Sequence, residues 1–227
     1  FCLVALVSFG QDTIYYDYNW SKLKTIDRAY YYAIINRDQT DSNRVKQNVY
    51  HITGQLKSEL IYSEFSKYLL EKFREWYKSG QIRKEFYFKN GKYDGDFLTY
   101  WENGKPKRVD FYKNDSLISG KCYNSGGQEV MYYNYNIAAE FPLGQKALSY
   151  FISGNLKYPE EMRKKGIEGR VHVSFMVEKD GRITNVEILK GVSPMLDAEA
   201  LRVIRLMPNW NPCLIDGEAE RTTFSIP

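Results

Sequence analysis

Residues 170–189 read RVHVSFMVEKDGRITNVEIL, and this stretch decides the fold of the second half of the chain. Apolar residues alternate with other side chains between Val171 and Val177, which is the period of a half-buried β-strand. The dipeptide Asp180-Gly181 favours a tight turn, because glycine adopts positive φ without steric cost. A second apolar-rich run follows this turn. The stretch therefore predicts an antiparallel β-hairpin.

Helical patterns flank the hairpin. Apolar residues follow helical spacing over 145–156, and Pro159 suits the first position of a second, short helix. Downstream, Ser193 can cap a helix with one apolar stripe that Pro208 ends. A last strand is predicted at 221–226. The order predicts an α+β domain, in which a three-stranded antiparallel sheet packs against two main helices.

The first half of the chain has a different pattern. Of the 36 aromatic residues, 20 lie between positions 45 and 135 and only 7 after position 135. Turn-forming glycines also recur at intervals of 26, 24 and 23 residues, and a period in the twenties indicates an array of small supersecondary units. We expect an all-β repeat domain of meandering hairpins. The repeated glycines are Gly54, Gly80, Gly104 and Gly127.

Composition also predicts the domain limits. One proline, Pro106, precedes position 142, and six follow from Pro142 onward. Together with the loss of aromatic residues, this shift indicates a hairpin-repeat domain at 11–136 and the α+β domain at 137–227.

The first ten residues predict a cellular compartment. FCLVALVSFG is an apolar run that ends in small residues, as the tail of a secretory signal peptide does. We therefore expect 1–10 to be a partial signal peptide and the protein to be periplasmic. A buried first strand is the alternative. A membrane anchor needs about 20 apolar residues, which only additional upstream residues would supply.

Charge and residue spacing disfavour several functional classes. The 32 basic and 28 acidic residues form no long basic run, so we expect no nucleic-acid partner. His51 and His172 lie far apart, and the three cysteines share no short spacing, so we expect no metal, no cofactor and no catalytic residue. The protein is therefore not expected to be an enzyme. A disulfide between Cys122 and Cys213 is one possibility, and two partly buried free thiols are the alternative.

Three segments resemble the TonB C-terminal domain family in the correct order, over about residues 144–227. They are YPEEMRKKGIEGRVHVSFMVEKDGRITNVEIL (158–189), LDAEALRVIRLMPNWNP (196–212) and RTTFSIP (221–227). The resemblance implies a periplasmic domain that binds the TonB box, a short extended peptide of outer-membrane TonB-dependent receptors. In the family, this peptide adds a strand beside the last strand of the domain.

An edge strand is physically suited to this role, because its unpaired N–H and C=O groups can bind an extended peptide. Tyr158 and Pro159 match the family's Tyr-Pro position and are expected near the peptide. The alternative for Tyr158 is simple packing against the sheet. The predicted partner-binding residues are Arg221, Thr222, Thr223, Phe224, Ser225, Ile226, Tyr158 and Pro159.

Residues 89–107, KNGKYDGDFLTYWENGKPK, resemble the MORN-repeat variant, a family of short hairpin repeats. The resemblance implies a protein-interaction or spacer module at about 45–135. Aromatic side chains that only pack the sheet are one alternative. A surface for glycan or single-stranded nucleic acid is another.

Two functional hypotheses follow. The first is a TonB-like protein that serves receptor-dependent, energy-dependent transport, with a link to an inner-membrane motor complex. The second is a soluble periplasmic adaptor or scaffold that binds other extended peptides or proteins without energy transduction. The sequence leaves homodimer formation open.

Overall fold

The structure is a computed structural model, which describes residues 12–37, 41, 43–63 and 69–227. The signal peptide predicted at 1–10 lies outside the described residues. The chain divides into two compact units, here called the repeat unit and the C-terminal unit, between Tyr132 and Tyr133. The predicted domain limits at 11–136 and 137–227 stay predictions.

The repeat unit contains one antiparallel sheet, in which eleven strands are described. From β3 to β11 each strand pairs with the next one along the chain, while β1 lies between β3 and β2. The predicted all-β meander is therefore confirmed. The strands are β1 (Asp12–Tyr16), β2 (Lys22–Leu23), β3 (Tyr31–Arg37), β4 (Arg44–His51), β5 (Leu56–Ser63), β6 (Leu69–Trp76), β7 (Ile82–Lys89), β8 (Lys92–Tyr100), β9 (Pro106–Lys113), β10 (Ser116–Tyr123) and β11 (Glu129–Val130).

Four turns of this sheet share one set of backbone hydrogen bonds. In each, the residue before a three-residue loop donates its amide to the carbonyl four positions later, over 2.8 to 2.9 Å. The third loop residue is a glycine with φ between +80° and +89°. This is the hairpin turn that closes with a left-handed glycine and a bulge. The four glycines are those of the sequence repeat, Gly54, Gly80, Gly104 and Gly127.

Ion pairs connect neighbouring strands of this sheet. Three glutamates on β5, β6 and β7 lie among cations of neighbouring strands, and each is shielded from solvent by more than four-fifths of its side chain. Ion pairs join Glu59 to Lys46 (2.6 Å), Glu75 to Lys84 (2.8 Å) and Glu85 to Lys72 (3.2 Å).

One ion pair of the repeat unit is fully buried. Arg108 Nη1 lies 3.0 Å from Asp110 Oδ2, and both side chains are 0% exposed. The Tyr132 hydroxyl donates to the same Asp110 oxygen over 3.1 Å. Burial, together with the nearby Asp110 charge, raises the pKa of Tyr132 to about 12. The hydroxyl therefore remains a donor at neutral pH.

The C-terminal unit combines two small sheets with three helices. The main sheet has the order β14-β13-β17, which confirms the predicted three-stranded antiparallel sheet with helices. A second sheet, β12-β15-β16, was not predicted. The elements are β12 (Asn136–Ile137), α1 (Gly144–Asn155), α2 (Glu160–Lys164), β13 (His172–Val177), β14 (Ile183–Lys190), α3 (Pro194–Arg205), β15 (Cys213–Ile215), β16 (Glu218–Glu220) and β17 (Thr222–Ile226).

An apolar core holds the main sheet and the helices together. Phe175, at the centre of β13, is 1% exposed. Its ring centroid lies 5.3 Å from that of Trp210 and 5.9 Å from that of Phe224. Leu148 of α1 and Ile204 of α3 belong to the same cluster. Trp210 is 3% exposed and belongs to this core.

The β13–β14 turn is fixed to this core through Gly181. The Trp210 amide donates to the Gly181 carbonyl over 2.8 Å. Gly181 has a φ of +84°, and a Cβ there would lie 2.1 Å from the Trp210 carbonyl oxygen. Only glycine fits this position, so the Asp180-Gly181 dipeptide positions the hairpin as well as turning the chain.

Candidate functional site

The last strand of the chain is a regular sheet edge. Five consecutive residue pairs join β17 to β13, from Val173↔Ile226 to Val177↔Thr222, and their register does not shift. Within the described residues, β17 has no second strand neighbour. Phe224 and Ile226 pack against the core, whereas Thr223 and Ser225 are exposed.

The open side of β17 can accept another strand. In an antiparallel pair, alternate residues direct their N–H and C=O groups away from the partner strand. These groups form the unpaired edge that strand addition uses. Arg221 lies one residue before the strand, and its Nη2 is 3.4 Å from Glu178 Oε2. Arg221 is therefore not part of the strand, and the other predicted strand residues, Thr222 to Ile226, form the edge.

The opposite edge of the same sheet, β14, is irregular. Its pairing with β13 shifts register twice, once between His172 and Val173 and once between Ser174 and Met176. Asn185, in the second shifted region, has a φ of +51°. Bulges of this kind twist an edge and oppose the addition of a further strand. β17 is therefore the edge better suited to binding an extended peptide.

The structure brings Tyr158 and Pro159 next to the end of β17. Both residues line a cleft of about 230 Å³ that Ile226 and Pro227 also line. Tyr158 is 46% exposed, and its hydroxyl donates to the Ile167 carbonyl over 2.6 Å. Two predicted groups of site residues, which are far apart in sequence, thus share one surface.

The wall of this cleft is held by hydrogen bonds between α3 and the segment that follows α1. The Lys157 amide donates to Glu199 Oε1 over 2.6 Å. Arg202 Nη2 donates to the same oxygen and to the Asn155 carbonyl. The Arg202 hydrogen bond keeps the pKa of Glu199 below its ordinary value. Glu199 is thus ionised and paired at neutral pH.

Most of the residues that line the cleft were not predicted from the sequence. Its remaining walls include Leu156 after α1, Val171 before β13 and Val203 on α3. Each of these residues fits an ordinary helical or strand pattern, so no local signal marks it as part of a site. Their arrangement depends on how the helices pack onto the sheet.

In the described ranges, no cluster of three or more His, Cys, Asp or Glu residues could hold a metal ion. Of the helices that the structure describes, none has the length and apolar character needed to cross a bilayer.

Part of the C-terminal unit is similar to a known protein family. Residues 154–227 match the family described as Gram-negative bacterial TonB protein C-terminal. Two relatives, both named Protein TonB and found in Helicobacter pylori strains J99 and 26695, are each 31% identical over 88 residues. The match covers 38% of this chain and 30% of each relative. The chain therefore spans less than a third of the length of these curated relatives. No solved structure gives a significant match.

Proposed function

We propose that this chain, whose residues 154–227 match the TonB C-terminal domain family, is a periplasmic TonB-like protein. It binds the TonB box of outer-membrane TonB-dependent receptors as a strand added to β17, and it supports energy-dependent transport. The observation that carries the proposal is the regular, unpaired edge of β17.

The two edges of the main sheet support this choice of strand. Main-chain hydrogen bonds supply most of the affinity in strand addition, so the binding edge must keep an even spacing of donors and acceptors. β17 keeps that spacing over five pairs, whereas β14 loses it twice. The proposal also includes an inner-membrane motor complex as a partner, because force reaches a receptor only if the far end of the protein is held.

A titration of the isotopically labelled full chain with TonB-box peptides tests the binding step. The peptides come from receptors of the same cell, and NMR follows the backbone amides. We expect the largest shifts along Thr222–Ile226, with smaller ones on β13. The absence of shifts at millimolar peptide, or shifts confined to β14, would contradict the proposal.

A matched pair of proline variants identifies the edge. Thr223 and Thr184 both pair with Met176, from opposite sides of β13. We expect Thr223→Pro to abolish peptide binding, because proline lacks an N–H and disrupts strand pairing. Thr184→Pro should leave binding in place. Circular dichroism checks that each variant folds.

Peptides that carry a single N-methylated amide test the same point without changing the protein. Methyl groups on amides that face β17 should abolish binding, while those on alternate amides should be tolerated. If every methylated peptide bound equally well, strand addition would be ruled out.

An adaptor function is the second candidate, and exposed apolar side chains on the repeat unit favour it. Phe111 on β9 and Ile118 on β10 are both exposed, as are Val109 and Leu117. Such residues can bind a second protein.

Receptor-dependent uptake in cells that carry Thr223→Pro separates the two functions. Loss of uptake supports transport, whereas unchanged uptake with lost peptide binding supports the adaptor.

A further inference from the structure

We infer that the cleft beside Ile226 is a specificity subsite, which takes one bulky apolar side chain from the strand added to β17. This inference rests on the proposed function. It adds which residue of the peptide the cleft selects by its side chain.

The position of the cleft is the first argument. Its lining includes Val173 of β13 and Ile226 of β17, but no residue of β14. The cleft thus lies on the β17 side of the main sheet, next to the edge that the peptide would occupy. It is continuous with the proposed binding surface.

Strand geometry selects one position of the peptide. Residues directly opposite each other in a sheet place their side chains on the same face, with Cβ atoms about 4.5 to 5.5 Å apart. Ile226 points to the core side and lines the cleft. The peptide residue opposite Ile226 therefore faces the cleft, whereas the residue opposite Ser225 points to the other face.

The chemistry of the lining selects an apolar side chain. Leu156, Val171, Val203 and Ile226 contribute apolar walls. Of the charged lining residues, Glu199 is paired with Arg202, and Lys157 and Arg170 are exposed to solvent. Leu156 is 47% exposed, so a side chain in the cleft would remove apolar surface from water.

The size of the cleft favours a side chain over a free small molecule. Its volume of about 230 Å³ is below the roughly 300 to 1,000 Å³ of ordinary small-molecule pockets. Simple strand addition needs no cleft, because backbone groups alone can form the ladder. The cleft therefore provides a means of choosing among extended peptides.

A peptide series tests the inference on the full chain. One TonB-box peptide that binds is replaced by alanine at each position in turn, and binding is measured by calorimetry. The discriminated position is then varied among Ala, Leu, Phe and Asp. We expect Leu or Phe to bind about tenfold or more tightly than Ala, and Asp to bind weakly. Both neighbouring positions should tolerate alanine.

A pair of leucine variants locates the effect in the protein. Leu156→Ala should weaken binding of the Leu peptide but not of the Ala peptide, which a double-mutant cycle reports as coupling. The matched control is Leu189→Ala on β14, because Leu189 is 61% exposed and lies at the opposite edge. It should leave both affinities unchanged.

The outcomes separate the two proposals. Equal affinity of the Leu and Ala peptides, with amide shifts still on β17, would overturn the subsite and leave the proposed function standing. If no TonB-box peptide binds, both fail together. Self-association of the chain that Leu156→Ala abolishes would assign the cleft to a second copy instead, and would also overturn the inference.

Discussion

The two units of this protein are stabilised by different interactions. The C-terminal unit encloses an apolar core between a sheet and helices, and its buried polar side chains are Ser174 and Asp216. The repeat unit buries Arg108, Asp110 and several other charged or polar groups. Its described residues include no helix that could form a second layer. Links between neighbouring strands therefore carry more of its stability.

This comparison shows two ways of using a β-strand. In the C-terminal unit, side chains of β13 fill a core, and within the described residues the edge strand β17 pairs with β13 alone. In the repeat unit, interior strands have partners on both sides, and ion pairs connect one strand to the next. We therefore expect the C-terminal unit to lose stability when a substitution leaves a cavity. The repeat unit should lose stability when a substitution leaves a charge unpaired.

The largest expected effect is on the buried ion pair. Arg108→Met removes the cation beside Asp110 and leaves a buried carboxylate with weaker compensation, which costs about 3 to 5 kcal/mol. Hydrogen exchange measured by mass spectrometry should show faster exchange in the repeat unit and unchanged exchange from Tyr133 onward. The double variant Arg108→Met/Asp110→Leu should recover part of the loss. Equal acceleration in both units would contradict the comparison.

A cavity in the C-terminal core should destabilise the C-terminal unit and leave the repeat unit unchanged. Ile204 is 4% exposed within the apolar cluster, so Ile204→Ala should cost about 2 to 5 kcal/mol. The same exchange measurement should locate the loss in the C-terminal unit alone. Leu206→Ala, just after the end of α3 at an exposed position, is the control and should change stability little.

Some elements of the fold were predictable from the sequence, and others were not. The period-2 strands, the Asp180-Gly181 turn and the helices around the main sheet could be read from local patterns, because each depends on neighbours in sequence. The small sheet could not, since β12 has only two residues and no period can be detected over such a length. Arg108 and Asp110 were not predicted to be buried, because charged residues on a strand are usually solvated.

The candidate site was predictable only in part. The edge strand and the Tyr-Pro pair followed from a resemblance, whereas the bulges in β14 were not predicted. The cleft is formed by separate segments, including Leu156, Val171 and Ile226. Its existence depends on packing distances that no single segment encodes.

The smallest predicted effect concerns acid stability. Burial alone would raise the pKa of Glu75, but Lys84, Lys57 and Arg83 hold it below the ordinary value. A lowered folded-state pKa gives stability that is present above the unfolded-state pKa and is lost as pH falls through the folded-state value. Acid should therefore loosen the repeat unit first. In the C-terminal unit, Asp180 also has a lowered pKa, but it is exposed and contributes less. The pKa of Glu199 is lowered mainly by Arg202, whereas Glu75 lies among three cations.

Hydrogen exchange and circular dichroism between pH 7 and pH 2 measure this difference. Glu75→Gln should flatten the acid dependence of the repeat unit and leave that of the C-terminal unit unchanged. Simultaneous acid unfolding of both units in the parent protein would show that the charged strand contacts do not set the acid limit.

The shared turn of the repeat unit allows the width of its sheet to change in steps. Two successive glycine turns, such as those at Gly80 and Gly104, enclose one pair of strands. Because both turns have the same hydrogen bonds, a pair of strands could be lost or duplicated without a new turn conformation. Neighbouring strands lie about 4.7 to 4.9 Å apart, so each such event changes the width by about 10 Å. The number of repeats therefore sets the width of this sheet, and a change in that number leaves the strands of the C-terminal unit unaltered.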